Sequence, residues 1–231
     1  MLAFFAIDKS QLINYHFLAR PMSKIKLISI WNPKGGQGKS MLAINLAAAA
    51  VEMNLKPLVI CQDQQGTSML YYKSGKLPFE VLGEIPKNKP DADIIFFDHQ
   101  ASDWDVPTNK LIVMPVKPSR DQFATYIDAY KRASTIGKDI LTVVTDGQMQ
   151  RPSERETTKY LKEQGAKVIP SSGVFSRASE EYRTIFDPSL NKAYKIAERR
   201  RELSGILAAI LMDKSDTGTP QKQEVNTYAT A

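Results

Sequence analysis

One stretch limits the fold of this chain more than any other. "KLISIW" (residues 26–31) is a short, nearly continuous apolar run. "NPKGGQGK" follows, and then "SMLAINLAAAAVEM" (40–53), rich in alanine and leucine and free of breakers. An unbroken apolar run of this length reads as a strand buried on both faces, and the alanine-rich run reads as a helix. Three glycines at the join give the backbone freedom to turn tightly and approach another group closely. A buried strand passing through a glycine turn into a helix is the repeating step of an open parallel sheet.

The residues in the turn point to a phosphate. Glycines let backbone N–H groups converge on phosphate oxygens without Cβ interference, and a helix that starts near Gly38 adds its positive end. Lys39 is then placed to reach the β- and γ-phosphates, and the Ser40 hydroxyl to ligate Mg²⁺. At average composition, Lys-Gly-Gly-x-Gly-Lys-[Ser/Thr] arises about once in several million windows, so a helix-capping loop with a chance lysine is a poor account. The general motif G-x-x-x-x-G-K-[ST] has glycine where this chain has Pro33, and an additional lysine, Lys34, sits one residue later.

The same alternation continues. "PLVIC" (57–61), "DIIFFD" (93–98), "KLIVMPV" (110–116), "DILTVV" (139–144) and "AKVIP" (166–170) read as strands. "DQFATYIDAYKRAS" (121–134) and "SERETTKYLKEQ" (153–164) read as helices, the second opening with Ser153 and Glu156 in capping-box spacing. Residues 191–212 form a last long helix with Ile196, Leu203, Ile206, Leu207, Ile210 and Leu211 at helical spacing, one face packed and the other charged. The fold class is α/β: a mostly parallel twisted sheet with helices on both faces, in one domain over residues 23–212. Residues 1–22 read as an extension, and Met22 is an alternative start; residues 213–231, with almost no large apolar residue, read as a polar, disordered tail.

"KGGQGKS" resembles the deviant Walker A signature of the ParA/MinD family of ATPases, and three more segments extend the likeness in order. "ICQDQQGTS" (60–68) resembles switch I, with Asp63 at the second aspartate, Cys61 in place of the first and Gln64 in place of a proline. "DIIFFDHQ" (93–100) resembles the Walker B strand ending at Asp98, with Gln100 and Ala101 where the family has prolines. "LIVMPVKPS" (111–119) resembles the strand that ends near the nucleotide base. The likeness covers about residues 24–212.

The resemblance implies ATP or ADP with Mg²⁺ held by Ser40 and Asp98. It implies nucleotide contacts from Lys34, Gly35, Gly36, Gln37, Gly38, Lys39, Ser40, Met41 and Pro115, and a catalytic group of Lys34, Lys39 and Asp63. In the family the signature lysine, here Lys34, reaches across a dimer interface, which implies a homodimer formed on ATP, and Asp63 would orient the attacking water. On the residues alone, the D-x-x-G run at Asp63 is also good turn chemistry. Cys61 reads as core packing rather than a nucleophile, and His99 as an exposed loop histidine.

The formal net charge is +6 and the sequence pI about 9.2, compatible with a polyanion partner. Arg177, Arg183, Lys192, Lys195, Arg199, Arg200 and Arg201 cluster near the C-terminal part, where ParA-type partition ATPases bind DNA without sequence preference. The competing reading is a solvated helix face interleaved with Glu198 and Glu202. Likeness to the small plasmid type implies a ParB-like or small centromere-binding partner, and a cytoplasmic, nucleoid-associated location. The polar end of the chain lacks the paired apolar and basic faces of a membrane helix.

A single cysteine excludes a disulfide framework within the chain and a four-cysteine metal site from one subunit, and it argues against the cluster-bridging iron-protein reductases of the superfamily. The ligases of the dethiobiotin synthetase kind generally lack the signature lysine. A cargo-positioning or conjugation-associated relative and a non-hydrolysing nucleotide-binding relative stay open as alternatives.

Overall fold

The computed structural model describes residues 24–63 and 66–213; the expected extension, all of the tail beyond Asp213, and Gln64 and Gln65 lie outside the described residues. The elements run β1 (Lys26–Ile30), α1 (Lys39–Glu52), β2 (Pro57–Cys61), α2 (Thr67–Lys73), β3 (Glu80–Leu82), β4 (Ile94–Asp98), β5 (Leu111–Val116), α3 (Arg120–Thr135), β6 (Asp139–Gly147), α4 (Pro152–Glu163), β7 (Lys167–Pro170), α5 (Gly173–Glu180) and α6 (Ile196–Met212). The strands form one seven-stranded sheet in the order β3-β2-β4-β1-β5-β6-β7, and every pairing is parallel. The α/β fold class read from the sequence is the fold observed.

β1 lies at the centre, with β4 on one side and β5 on the other. Connections lead away from it in both directions, which opens a crevice at the carboxyl ends of the strands. Burial follows from composition. β2, β4 and β5 are buried along their whole length, as strands covered on both faces must be. α1 is buried from Leu42 to Ala50 without a polar face, because it lies between the sheet and α6. Its alanines keep that helix thin enough to be enclosed. α3 and α4 cover the opposite side over β5, β6 and β7, closing on Trp31, Met114, Tyr126, Val144 and Leu161.

Several boundaries differ from the sequence reading. α4 starts at Pro152 with Arg151 as its N-cap, so the Ser153–Glu156 capping box does not form. Proline at the first helical position has already set the start, and Glu154 accepts from Gln148 N (3.0 Å) and from Arg151 Nη1 (2.9 Å) instead. The last helix begins at Ile196, not at residue 191. A 3-10 turn at Pro188–Leu190 precedes it, and Lys195 caps it in the left-handed region at φ 58°. α2, β3 and α5 are short elements that the sequence reading omitted.

α1 is tied to the distant chain before α6 by one amide. Asn45, 3% exposed, donates from Nδ2 to Met41 O (2.8 Å) and accepts at Oδ1 from the Ile185 N–H (2.9 Å). An Asn45→Ala variant strands that buried N–H, a loss of about 1–3 kcal/mol. Urea denaturation should therefore show a lower midpoint with an unchanged slope; an unchanged midpoint would show that the Asn45 bridge does not support the fold.

Candidate nucleotide-binding site

The glycine turn leaves β1 at the crevice and is fixed by two buried amides. Asn32, fully buried, donates to Pro115 O on β5 (2.8 Å) and accepts from the Lys34 N–H (2.9 Å). Gln37, also fully buried, accepts at Oε1 from the Lys117 N–H (2.7 Å), donates to Gln122 Oε1 on α3, and offers its carbonyl to Thr145 Oγ1 on β6 (2.8 Å). Gly36 and Gly38 stand at φ 74° and 86°, in the left-handed region where a side chain is strained. Gly38 is the N-cap of α1, so that helix presents its first N–H groups to the concavity. The geometry is that of an anion cradle.

Lys39 and Asp98 meet inside it. Lys39, 7% exposed, donates from Nζ to Asn32 O (3.0 Å) and Lys34 O (3.2 Å). Burial lowers its pKa, and the charges of Asp98 and Asp63 oppose that shift. Asp98 ends β4 opposite Ile30 of β1 and Cys61 of β2 and is fully buried. Burial raises its pKa, against hydrogen bonding from Ser68 and Ser40 and the charge of Lys39. Ser68 Oγ donates to Asp98 Oδ2 at 2.6 Å, whereas Oδ1 is enclosed and makes no hydrogen bond of ordinary geometry. A buried carboxylate oxygen that lacks a donor and lies near a hydroxyl is the oxygen chemistry a divalent cation takes, so the Ser40 and Asp98 oxygens suit Mg²⁺.

The remaining loop positions expected to contact a ligand share this crevice. Lys34 is half-buried, Gly35 and Gly36 are exposed, and Ser40 and Met41 are half-buried at the start of α1. Asp63 follows β2 and is half-buried, and its carbonyl accepts from the Gly66 N–H (2.8 Å). A cavity of about 200 Å³ opens beside Gly36 and Gly38, walled by Met41, Lys117, Asp146 and Ser171. Pro115 lies buried within β5, where its carbonyl serves the loop through Asn32.

His99 is not the exposed loop residue the sequence suggested. It is half-buried, its Nε2 lies 3.0 Å from Ser29 Oγ, and burial lowers its pKa to about 4. Cys61 is buried, as expected of a core residue. The sequence reading missed Asn32, Gln37's side-chain role, Ser68 and Thr145. Only Ser68 left a trace, as the last residue of the segment likened to switch I. Among the described residues no group of three or more His, Cys, Asp or Glu could hold a metal, so any cation here depends on other ligands.

The basic candidates divide. Arg177, Lys192, Lys195 and Arg201 are exposed. Arg183 is held by Glu181 and Asp187 (2.8 and 2.6 Å). Arg200 donates to Ile185 O, Asn191 Oδ1 and Asp187 O. Arg199 is 5% exposed, on the packed side of α6, with Glu202 at 2.8 Å and Pro170 O at 3.4 Å. The expected charged outer face of this helix therefore excludes Arg199.

Comparison with known proteins agrees with this geometry. Residues 28–185 match the model of the CobQ/CobB/MinD/ParA nucleotide binding domain. Among solved structures, a plasmid partition protein of Borrelia burgdorferi bound to AMPPNP has a TM-score of 0.65 and 18% identity, covering 80% of this chain and 99% of that one. MinD of Pyrococcus horikoshii complexed with Mg-ADP gives 0.58 and 16%, covering 78% and 95%. An ATP complex of a Cyanothece McdA variant gives 0.59 and 14%, covering 82% and 98%. At such identities the likeness establishes the fold. No curated protein matches the chain by sequence. A parallel sheet centred on β1, a glycine cradle at its crevice and a family model matched over most of the chain lead to one statement: this chain belongs to the CobQ/CobB/MinD/ParA family of nucleotide-binding domains.

Proposed function

We propose that the chain is an ATP-dependent DNA-partition ATPase: it dimerises on ATP, binds DNA without sequence preference, and is reset by hydrolysis with a centromere-binding partner. The observation that carries the ATPase part is the enclosed Asp98 Oδ1 beside Ser40 and Lys39 at the N-terminus of α1. Phosphoryl transfer to water needs charge neutralisation and a positioned nucleophile more than covalent chemistry. Lys39 and the N–H groups of the loop neutralise the phosphates. Ser40 and Asp98 hold Mg²⁺, which when bound supplies further positive charge. Asp63, whose charge reaches both Lys39 and Asp98, orients the attacking water.

Lys39 serves the phosphates of its own subunit, and the resemblance of the loop to the family's deviant Walker A signature assigns Lys34 to completing the partner's site. ATP binding and dimerisation are then linked, and hydrolysis dissolves the dimer. DNA contact falls to the exposed Arg177, Lys192, Lys195 and Arg201, since the other three basic residues are committed within the fold.

Lys39→Ala is expected to weaken ATP binding by about ten- to a hundredfold, the value of a lost charged hydrogen-bonding group, as read by titration calorimetry. Lys34→Ala should still bind nucleotide but stay monomeric with ATP in light scattering; a full ATP dimer in that variant would refute the cross-interface role.

DNA binding is expected to require ATP and to weaken steeply with salt. Replacing both Lys192 and Arg201 by Ala should reduce the slope of log K against log salt by about 2. Arg199→Met should lower thermal stability and leave the slope unchanged. A slope unaffected by the double variant would place DNA elsewhere or nowhere. ATP turnover measured with and without DNA separates this reading from a non-hydrolysing relative.

A further inference from the structure

α3 and α4 both pack on β6, but they do not close over it. Between them a cavity of about 360 Å³ opens to solvent, floored by residues 140–142 of β6. Protein interiors seldom leave voids much larger than a water molecule, and a space of this volume is in the range of small-molecule sites. The glycine loop meets β6 at Thr145, toward the other end of the strand, so the cavity is separate from the crevice.

Its walls are aromatic. The Phe123 ring stacks on Tyr126 with centroids 5.8 Å apart and meets Tyr160 of α4 edge-on at 6.3 Å. Tyr130 leans on Tyr126 at 5.8 Å. Tyr130 and Tyr160 are 39% and 54% exposed, so the ring-lined space stays open at its mouth. Aromatic rings gain by offset or edge-on contact with one another, and a further planar ring is what such walls admit.

Two polar features orient that ring. At the base, Tyr126 and Thr142 are 5% and 7% exposed, and their hydroxyl oxygens lie 2.8 Å apart in one hydrogen bond. Two hydroxyls bring two protons to this contact and spend one. The second proton has no acceptor among the described residues, and a buried donor left unused costs free energy. Burial pushes the Tyr126 pKa up to about 12, so the phenol keeps its proton. At the mouth, the exposed Lys131 ammonium pairs with no carboxylate among the described residues.

We infer that this cavity binds a small aromatic acid with a hydroxyl at the far end of its ring, of the 4-hydroxyphenyl carboxylate class. The ring lies among the four aromatic side chains. Its hydroxyl oxygen accepts the spare proton of the Tyr126 and Thr142 pair. The carboxylate stays in water at the mouth, beside Lys131. A nucleotide fits poorly, because Lys131 is the one cation among the described residues that line the cavity.

4-Hydroxyphenylacetate titrated into the full chain is expected to bind saturably at one site per chain, read by ligand-observed NMR or calorimetry. Lys131→Gln should weaken that acid about threefold, the value of an exposed ion pair, and leave the binding of 4-methylphenol unchanged. Thr142→Val should abolish the preference for 4-hydroxyphenylacetate over phenylacetate; Tyr126→Phe takes its place where that variant fails to fold. Tyr160→Ala, at an exposed wall, should weaken all three probes about fivefold, the value of a lost ring contact. No saturable binding of any probe would overturn the proposal. So would binding that Tyr160→Ala leaves intact, which would place the probe elsewhere. A dimer of the full chain that Tyr160→Ala dissolves and no probe disturbs would also overturn it, and would assign the cavity to a side chain of a second copy.

Discussion

Everything at the crevice depends on a loop whose shape is fixed by two buried amides. Asn32 and Gln37 are fully buried, and between them they bind the backbone of β5, the chain after it and the Thr145 hydroxyl of β6. Glycine-rich backbone is entropically expensive to order, and a loop ordered only on binding would lose that much affinity. Here the ordering comes from folding. The anion site is therefore a property of the sheet: the loop stays where the carboxyl ends of β1, β5 and β6 put it.

The same economy explains the buried charges. Lys39 and Asp98 lie in a place that disfavours both their ionised forms, and each is the other's counter-charge. Two further charges in such a site are tolerated only as a matched set. A nucleotide phosphate and a divalent cation would be such a set under the proposed function, the anion drawn by Lys39 and the cation by Asp98. The enclosed Asp98 Oδ1 is the point at which the protein's own hydrogen bonding stops short.

The sequence made much of this legible. Continuous apolar runs gave six of the seven strands, because a strand buried on both faces cannot alternate. Motif order singled out Lys39, Ser40 and Asp98, and the fold brings them to one crevice. Three kinds of feature stayed hidden for physical reasons. β3 pairs by three residues at the sheet edge, too short for a periodic signal. Asn32 and Ser68 act through partners far along the chain, and a lone amide or hydroxyl carries no local pattern. The basic run misled because residues three and four apart on a helix share a face: Arg199 lies on the side of Leu203 and Ile206, beside Glu202, and packs inward with them. Counting charges in a segment overlooks that some of them hold the segment together.

The loops of the crevice are also joined to one another. Ser68, on the first turn of α2, is bound to Asp98 on β4, and Ser102 N–H donates to Pro33 O at 2.7 Å. The segment after β2, the end of β4 and the glycine loop therefore share hydrogen bonds, with Asp98 at the junction. α2 is only seven residues long and begins just after Asp63, and Tyr71 anchors it in the main core while Ser68 ties it to Asp98. The candidate site is thus joined to a short helix, and the connection runs through a single buried carboxylate.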